Sequence, residues 1–287
     1  MRATRRGLVL GAGAALVPTP LMPSILLAAP EPAPVTPEPL ALTGRFVQGG
    51  HAVGRAWPRA MVLVNGEALA TASEEGWFVV GFDRDAPASV ELEVRSGDQA
   101  ERRTLAIEPG QFPSTVINGL PQETVEPSSP ALLERIRREA ARKAEAFSSR
   151  TDADHFRDGF RWPLAEFRVS SRWGSQRVLN GTPARPHYGI DMAAPAGTPI
   201  LAPAAGLVIM AEPDLHFEGG LILIDHGQGL ITAYLHQSEL IATPGRQVAA
   251  GEIIGRVGMK GRATGPHLCW RMRWRDRQCD PSLMVRA

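Results

Sequence analysis

The sequence predicts a mainly β protein, in which one amphipathic helix separates two β-rich regions. Short apolar, β-branched runs alternate with Gly, Asn, Asp and Pro turns over residues 41–118 and again over residues 160–287. Residues 129–148 instead carry apolar side chains at helical spacing. A length of 287 residues with 44% hydrophobic residues is enough for one or two domains with real cores.

Residues 1–29 have the composition of an export signal. A basic start containing Arg5 and Arg6 precedes an apolar run that ends at Ala29. The paired arginines fit a twin-arginine signal, and an ordinary secretory signal with two arginines is the alternative. Prolines interrupt the apolar run, so we expect no transmembrane anchor. Residues 30–40 contain five prolines and predict an extended linker.

The net charge argues against one class of partner. The formal charge is +1, and loss of the leader with its three arginines lowers it to about −2. A nearly neutral chain gives no reason to expect nucleic-acid binding.

Residues 41–118 predict a small immunoglobulin-like β-sandwich. Asn65-Gly66 follows the strand-like run 60–64 and is a strong hairpin signal. Further strand-like runs cover residues 76–82 and 89–95. This region shows no catalytic constellation. Spacing, binding of a polymer and docking to a partner are equally compatible roles.

Residues 129–148 predict a connecting helix within a linker, 119–159. Ser129 can cap the helix and Pro130 suits its first position. One face carries mixed charge and is expected to be solvated, which makes a membrane-surface helix the weaker interpretation. The other face is apolar and is expected to dock on a domain: Leu132, Leu133, Ile136, Ala140, Ala144 and Phe147.

The region 160–287 contains the residues that can carry chemistry. His187 and Asp191 are four residues apart, and the nearby Pro and Gly residues favour a loop that enters a strand over a helix. His267 and Cys269 are two apart, so a strand would point both to one face. One nitrogen, one oxygen and one sulfur donor, with further imidazoles nearby, suit zinc, because catalytic zinc sites use three protein ligands.

At these residues the sequence resembles the lysostaphin/LytM-type zinc endopeptidases, which cut stem or cross-link peptides of peptidoglycan. The resemblance covers about residues 167–281 and rests on several motifs in the family's order. They are His187-x-x-x-Asp191, Tyr234-Leu235-His236, His267-Leu268-Cys269, Trp173-Gly174-Ser175-Gln176-Arg177, Asp225-His226-Gly227 and Ala263-Thr264-Gly265-Pro266. One position departs from the family, because Cys269 stands where the family has the last His of H-x-H.

The resemblance implies an antiparallel two-sheet β domain of the duplicated hybrid motif type, with one Zn²⁺ per chain in a groove on one sheet. His187, Asp191 and Cys269 are the implied ligands. The implied reaction is hydrolysis of a peptide bond in peptidoglycan by zinc-activated water. His267 is the expected general base and His236 the expected transition-state stabiliser, although the sequence alone leaves these roles interchangeable.

Cys269 leaves two functions open. A thiolate is a strong zinc ligand, and its extra negative charge is expected to make the activated water less acidic than a second imidazole would. The first function is therefore a periplasmic zinc peptidase, slower than its relatives. The alternative is an inactive domain that binds and activates another cell-wall hydrolase or a divisome component. Only one site residue differs from the family pattern, and the cysteine found there can also bind a metal. This favours the enzyme.

Cys269 and Cys279 are not expected to form a disulfide. A turn at residues 275–277 would place Cys279 opposite about Arg273, four residues from Cys269. That separation is roughly 13 Å at about 3.3 Å per residue, beyond disulfide reach.

Arg271 and Arg273 alternate with a core-facing stripe and share the face of His267 and Cys269. Either they hold a stem-peptide carboxylate or they form a solvated basic edge.

Overall fold

The computed structural model describes residues 40–286. The predicted export signal and residues 30–39 of the predicted linker lie outside the described residues. Strands dominate the described part, and the prediction of a mainly β fold is confirmed.

The N-terminal module consists of two antiparallel sheets, as predicted for a sandwich. Their orders are β1-β2-β5 and β4-β3-β6-β7. Asn65 adopts a left-handed φ of 50° in the β3–β4 turn, a conformation that Asn tolerates better than most residues. The strands are β1 Ala41–Arg45, β2 His51–Arg55, β3 Met61–Val64, β4 Glu67–Thr71, β5 Trp77–Gly81, β6 Ser89–Ser96 and β7 Gln99–Ala106.

The connecting region contains strand β8 (Ser114–Ile117) and helices α1 (Gln122–Val125) and α2 (Pro130–Ala146). Ser129 Oγ accepts a hydrogen bond from the Leu132 amide, as the capping signal predicts. Neither described helix has the length and hydropathy needed to cross a membrane.

The charged face of α2 is less solvated than the sequence suggests. Glu139 is buried, pairs with Arg135 at 2.7 Å and accepts a hydrogen bond from the amide of His216. Arg142 and Lys143 form ion pairs with acidic side chains of the C-terminal region. Helical periodicity reveals which residues share a face, but it does not reveal that ion pairs will bring a charged face against a sheet.

The C-terminal region contains one large and one small antiparallel sheet, as predicted, and it also contributes two strands to a third sheet that includes β8. The large sheet has the order β18-β14-β15-β16-β20-β12-β9, with β21 beside β20, and the small sheet has the order β13-β19-β17. The strands are β9 Arg168–Ser171, β10 Gln176–Leu179, β11 Thr182–Ala184, β12 Ile190–Ala193, β13 Pro199–Leu201, β14 Gly206–Leu215, β15 Gly219–Asp225, β16 Leu230–Gln237, β17 Glu239–Leu240, β18 Gln247–Val248, β19 Ile253–Arg256, β20 His267–Trp274 and β21 Arg277–Cys279, and a 3₁₀ helix, Pro281–Met284, follows.

Successive side chains of strand β20 point alternately to the hydrophobic core and to the groove. Leu268, Trp270, Met272 and Trp274 are fully buried on one face of the sheet. Cys269 points to the other face, where it joins a second apolar cluster with Leu223 and Leu235. The predicted core stripe is therefore present, and it fixes the direction of the cysteine.

Both cysteines are free and buried. Cys279 lies opposite Met272 in the β20–β21 ladder, one residue from the predicted register. Its side chain packs near Gly81 of the N-terminal module, where an added Cβ would lie 2.6 Å from Cys279 Sγ.

Buried residues of the N-terminal module and of the C-terminal region belong to one continuous hydrophobic cluster. Strand β8 pairs in parallel with β10, which in turn pairs with β11. The proposed boundary of the sandwich at residue 118 stays a prediction.

Candidate active site

Three elements bring the predicted metal ligands together. Asp191 on β12 is the direct cross-strand partner of Cys269 on β20. His187 lies in the loop before β12, and its Nε2 is 3.1 Å from Asp191 Oδ1 and 3.3 Å from Cys269 Sγ. The donor atoms of all three residues lie within 4.8 Å of one another.

Gly189 allows the His187 loop to approach the strands. A Cβ at this position would lie 2.8 Å from Cys269 Sγ and 3.2 Å from His187 Nε2. Any side chain at Gly189 would therefore displace the candidate ligands.

The surroundings orient each ligand. Arg177 Nη2 donates to Asp191 Oδ2 at 2.8 Å, which leaves Oδ1 directed at the cluster. His187 Nδ1 contacts Ser171 Oγ at 3.2 Å, which leaves Nε2 directed at the cluster. Outer contacts of this kind fix the direction of metal-binding imidazoles and carboxylates.

Burial sets the protonation of the ligands in the absence of a metal. Burial lowers the pKa of His187 to about 4, although Asp191 opposes this shift. Burial alone would raise the pKa of Asp191, but His187 and Arg177 lower it well below its usual range. Burial raises the pKa of the Cys269 thiol to about 12, against the effect of Arg271. At neutral pH the cluster therefore holds a neutral imidazole, a carboxylate and a thiol.

The cluster fits a divalent metal ion. Asp191 Oδ1 is buried and makes no aligned hydrogen bond to any described residue, although His187 Nε2 is close. A buried carboxylate oxygen without a donor is costly unless a cation satisfies it. A metal would satisfy Oδ1 and bind Cys269 as the thiolate.

Two further imidazoles border the cluster. The rings of His236 and His267 lie 4.7 Å apart. Each Nδ1 is 2.8 Å from a backbone carbonyl, that of Lys260 for His236 and that of Gly265 for His267. With Nδ1–H donating to these carbonyls, both Nε2 atoms are free, and that of His267 lies 3.7 Å from Asp191 Oδ1.

His236 also has an unusual backbone conformation. Its φ is 67°, which is uncommon for a residue other than glycine and costs on the order of 1 kcal/mol or more. The register of β16 against β15 shifts near this point, since Gly220 pairs with Gln237 and Ile222 with Tyr234. Strain at a candidate site is typical of residues held for a function.

The sequence did not reveal how the site is covered. Residues 114–125, which we call the cover segment, run along the open side of the cluster. Ile117 and Leu120 of this segment line a cavity of about 50 Å³. The opposite wall of the same cavity is formed by Asp191, His236 and His267.

Asn180 holds the cover segment in place. Its carboxamide accepts from the Leu120 amide at 3.2 Å and donates to the Leu120 carbonyl at 2.8 Å. The Asn180 amide donates to the carbonyl of Ile117. No periodicity or motif in residues 114–125 predicts these contacts, because they depend on a strand that is far away in sequence.

Arg271 and Arg273, for which the sequence left carboxylate binding and a solvated basic edge open, contact other groups of the protein. Arg271 Nε donates to Cys269 Sγ at 3.4 Å. The Arg273 guanidinium lies 5.0 Å from the centre of the Phe147 ring. A third arginine, Arg262, lines the cavity and was not singled out by sequence reasoning.

Comparison with known proteins identifies the family. The profile of peptidase family M23 matches residues 185–281, which include all five candidate site residues. A Pseudomonas aeruginosa protein of known crystal structure, classed as a peptidase M23, is 31% identical with a TM-score of 0.66. That match covers 84% of this chain and 95% of the other. The chain belongs to peptidase family M23.

Curated M23 relatives are similar over the C-terminal region. Peptidoglycan DD-endopeptidase ShyA of Vibrio cholerae is 36% identical over 119 residues, 41% of this chain and 27% of its own. DD-carboxypeptidase/endopeptidase Mpg of Neisseria meningitidis is 38% identical over 119 residues, 42% of this chain and 27% of its own. The matched part thus spans about a quarter of the length of these relatives.

Proposed function

We propose that this M23 peptidase is a zinc metalloendopeptidase that hydrolyses peptide bonds in the stem or cross-link peptides of peptidoglycan. The observation that carries the proposal is the convergence of His187, Asp191 and Cys269, with the unpartnered Asp191 Oδ1 directed into their centre. The names of the relatives, a peptidoglycan DD-endopeptidase and a DD-carboxypeptidase/endopeptidase, support this substrate class.

In this proposal His187 Nε2, Asp191 Oδ1 and Cys269 Sγ hold one Zn²⁺. When bound, the ion supplies Lewis-acid chemistry, polarising the scissile carbonyl and activating a water molecule. Arg177 keeps the Asp191 carboxylate ionised and directed at the site. Arg271 donates a hydrogen bond to the sulfur of Cys269 and so favours its thiolate form, although burial opposes ionisation until a metal binds.

The two remaining imidazoles have different roles, and His267 performs the proton transfers. His267 Nε2 accepts the proton of the attacking water and later delivers it to the leaving amine. His236 is protonated only at Nδ1, so it contributes through the orientation of its ring and through its Nε2. Its Nε2 therefore accepts hydrogen bonds, and the expected role as transition-state stabiliser would require the other tautomer, with the proton on Nε2. Burial and His267 lower the pKa of His236 to about 3, which favours His267 as the base and disfavours a permanently charged His236.

The second candidate function is binding without catalysis. The small volume of the cavity, about 50 Å³, favours it, because a peptide residue needs more room than the cavity offers in this conformation. In that role the chain would bind another cell-wall hydrolase or a divisome component. The N-terminal module would then serve as a docking surface.

We further propose an extracytoplasmic location, in the periplasm. It follows from the proposed substrate and agrees with the export signal expected in residues 1–29. No nucleic acid has a role in either candidate function.

Metal analysis of dialysed protein tests the site. Protein expressed with added zinc is expected to retain about one zinc per chain, because three protein ligands suffice for a catalytic site. Cys269→Ser should lower the zinc content well below half. Cys279→Ser is the matched control, since it alters a buried cysteine outside the cluster and should keep the zinc. A clearly sub-stoichiometric wild type would overturn the zinc site.

Digestion of purified muropeptides tests the reaction. The wild type should release product, and both a chelator and His267→Ala should abolish it. Equal product from all three samples would contradict hydrolysis by this site. A wild type that binds zinc but yields no product would leave binding without catalysis as the function.

A further inference from the structure

We propose that Arg262 selects substrates that carry a free carboxylate beside the scissile bond. This inference rests on the proposed peptidase function and names the substrate feature that the site recognises.

Arg262 is fixed at the mouth of the candidate active site. It lines the same small cavity as Asp191, His236 and His267. Its backbone amide donates to the Phe217 carbonyl at 2.9 Å, and its guanidinium lies 4.9 Å from the centre of the Phe217 ring. A planar guanidinium held against an aromatic ring keeps its donors in one direction at little entropic cost.

The loop around Arg262 has little freedom to move. Gly261 has a φ of 74°, and a Cβ there would lie 2.5 Å from Gly219 N and Phe217 O. The loop therefore packs directly on the β14–β15 turn, which also carries Phe217. A donor presented from a rigid support is typical of a recognition residue.

Arg262 lacks a carboxylate partner among residues 40–286. Glu218, the acidic residue whose charge most raises the pKa of Arg262, forms an ion pair with Lys143. Asp191 is already paired with Arg177. Burial, followed by the charges of Arg271 and Arg177, lowers the pKa of Arg262. The open side of the site therefore carries positive charge that no described side chain neutralises.

Among the described residues, the one hydrogen-bond partner of the Arg262 guanidinium is a peptide group. Arg262 Nη1 donates to the Thr124 carbonyl at 3.3 Å, a long contact to the cover segment. A carboxylate in that position would accept two parallel, charge-assisted hydrogen bonds from the guanidinium. Arg177 and Arg271 are less suited to this role, because Arg177 is paired with Asp191 and Arg271 donates to Cys269. The neutral carbonyl of Thr124 thus marks where a substrate carboxylate would lie.

The test compares two synthetic stem-type peptides that differ only in a free or an amidated carboxyl group next to the scissile bond. Binding to the full, zinc-loaded chain is measured by fluorescence anisotropy, and cleavage is followed separately. The wild type should bind the acid about tenfold or more tightly than the amide, as expected for a bidentate ion pair in a shielded site. Arg262→Gln should bring this ratio to about one, and Arg262→Lys should leave an intermediate ratio.

Arg185→Gln is the matched control, because it removes an exposed arginine from the loop that carries His187 without touching the cavity. It should keep the wild-type ratio. In cleavage assays Arg262→Gln should raise the KM for the acid much more than the KM for the amide, whereas a merely structural role would impair cleavage of both peptides equally. The proposal is overturned by a wild type that does not distinguish the peptides, by failure of both to bind, or by an unchanged ratio in Arg262→Gln. A wild type that distinguishes the peptides in binding but cleaves neither would contradict the peptidase function alone.

Discussion

Asn180 offers a direct way to open the candidate active site. Its carboxamide makes two hydrogen bonds with the backbone of Leu120, and each is worth about 1 kcal/mol net. Asn180→Gly removes both bonds without straining the turn, because Asn180 has a left-handed φ of 48° that glycine adopts freely. The loss of about 2 kcal/mol should shift the closed-to-open ratio of the cover segment by about 30-fold.

Hydrogen exchange reports this change at a defined atom. The Leu120 amide loses its acceptor in Asn180→Gly, so its exchange should accelerate by up to about 30-fold. The β8–β10 ladder and the bond from Asn180 N to Ile117 O remain, so opening should be confined to the residues after β8. With zinc bound, peptide cleavage should rise in parallel, because the cavity of about 50 Å³ otherwise excludes a peptide residue.

The N-terminal module supplies a matched control. Asn65 occupies an equivalent Asn-Gly turn with φ 50°, and its Oδ1 accepts from the Glu91 amide, far from the candidate active site. Asn65→Gly makes the same chemical change and should leave both the exchange of Leu120 and the cleavage rate unchanged. Equal acceleration in the two variants, or none in Asn180→Gly, would refute the reasoning that Asn180 keeps the site closed.

Two further predictions concern stability. Burial lowers the pKa of His226 to about 4, below its unfolded value of 6.5, so its stabilising effect is present above pH 6.5 and is lost as the pH falls towards 4. Urea titrations measure the unfolding free energy at each pH. Between pH 7 and pH 5 the unfolding free energy of the wild type should fall by about 2 kcal/mol more than that of His226→Gln. An identical pH dependence of the two proteins would contradict this assignment. Ile224→Ala empties a fully buried position on β15 and should cost about 3 kcal/mol, whereas Ile253→Ala, at a position 41% exposed, should cost less than about 1 kcal/mol. Similar losses of unfolding free energy for both isoleucines would contradict the observed core.

Local patterns accounted for much of the candidate site. Alternation along β20 predicted that Cys269 and the tryptophans point to opposite faces, and the structure agrees. The spacing His187-x-x-x-Asp191 and the later motifs indicated the candidate metal ligands, and the structure brings His187, Asp191 and Cys269 together. These features are local, since a strand fixes side-chain direction every second residue whatever lies around it.

The other features depend on contacts between residues far apart in sequence. The cross-strand pairing of Asp191 with Cys269 joins positions 78 residues apart, and the ion pair between Arg177 and Asp191 depends on that arrangement. The role of Arg262 was missed because its neighbours Phe217 and Thr124 are distant in the chain. Sequence reasoning singled out Arg271 and Arg273 because they share a strand face with the candidate ligands, and it left carboxylate binding and a solvated basic edge as alternatives. Both arginines have other contacts in the structure.

The sequence by itself determined the mainly β class, the family motifs, the capped connecting helix and the direction of each side chain along β20. Only the tertiary structure decided that residues 114–125 cover the groove and that Asn180 holds them there. The physical reason is that periodicity and turn chemistry act within a few residues, whereas the closure of a groove depends on hydrogen bonds between chain segments that meet only after folding.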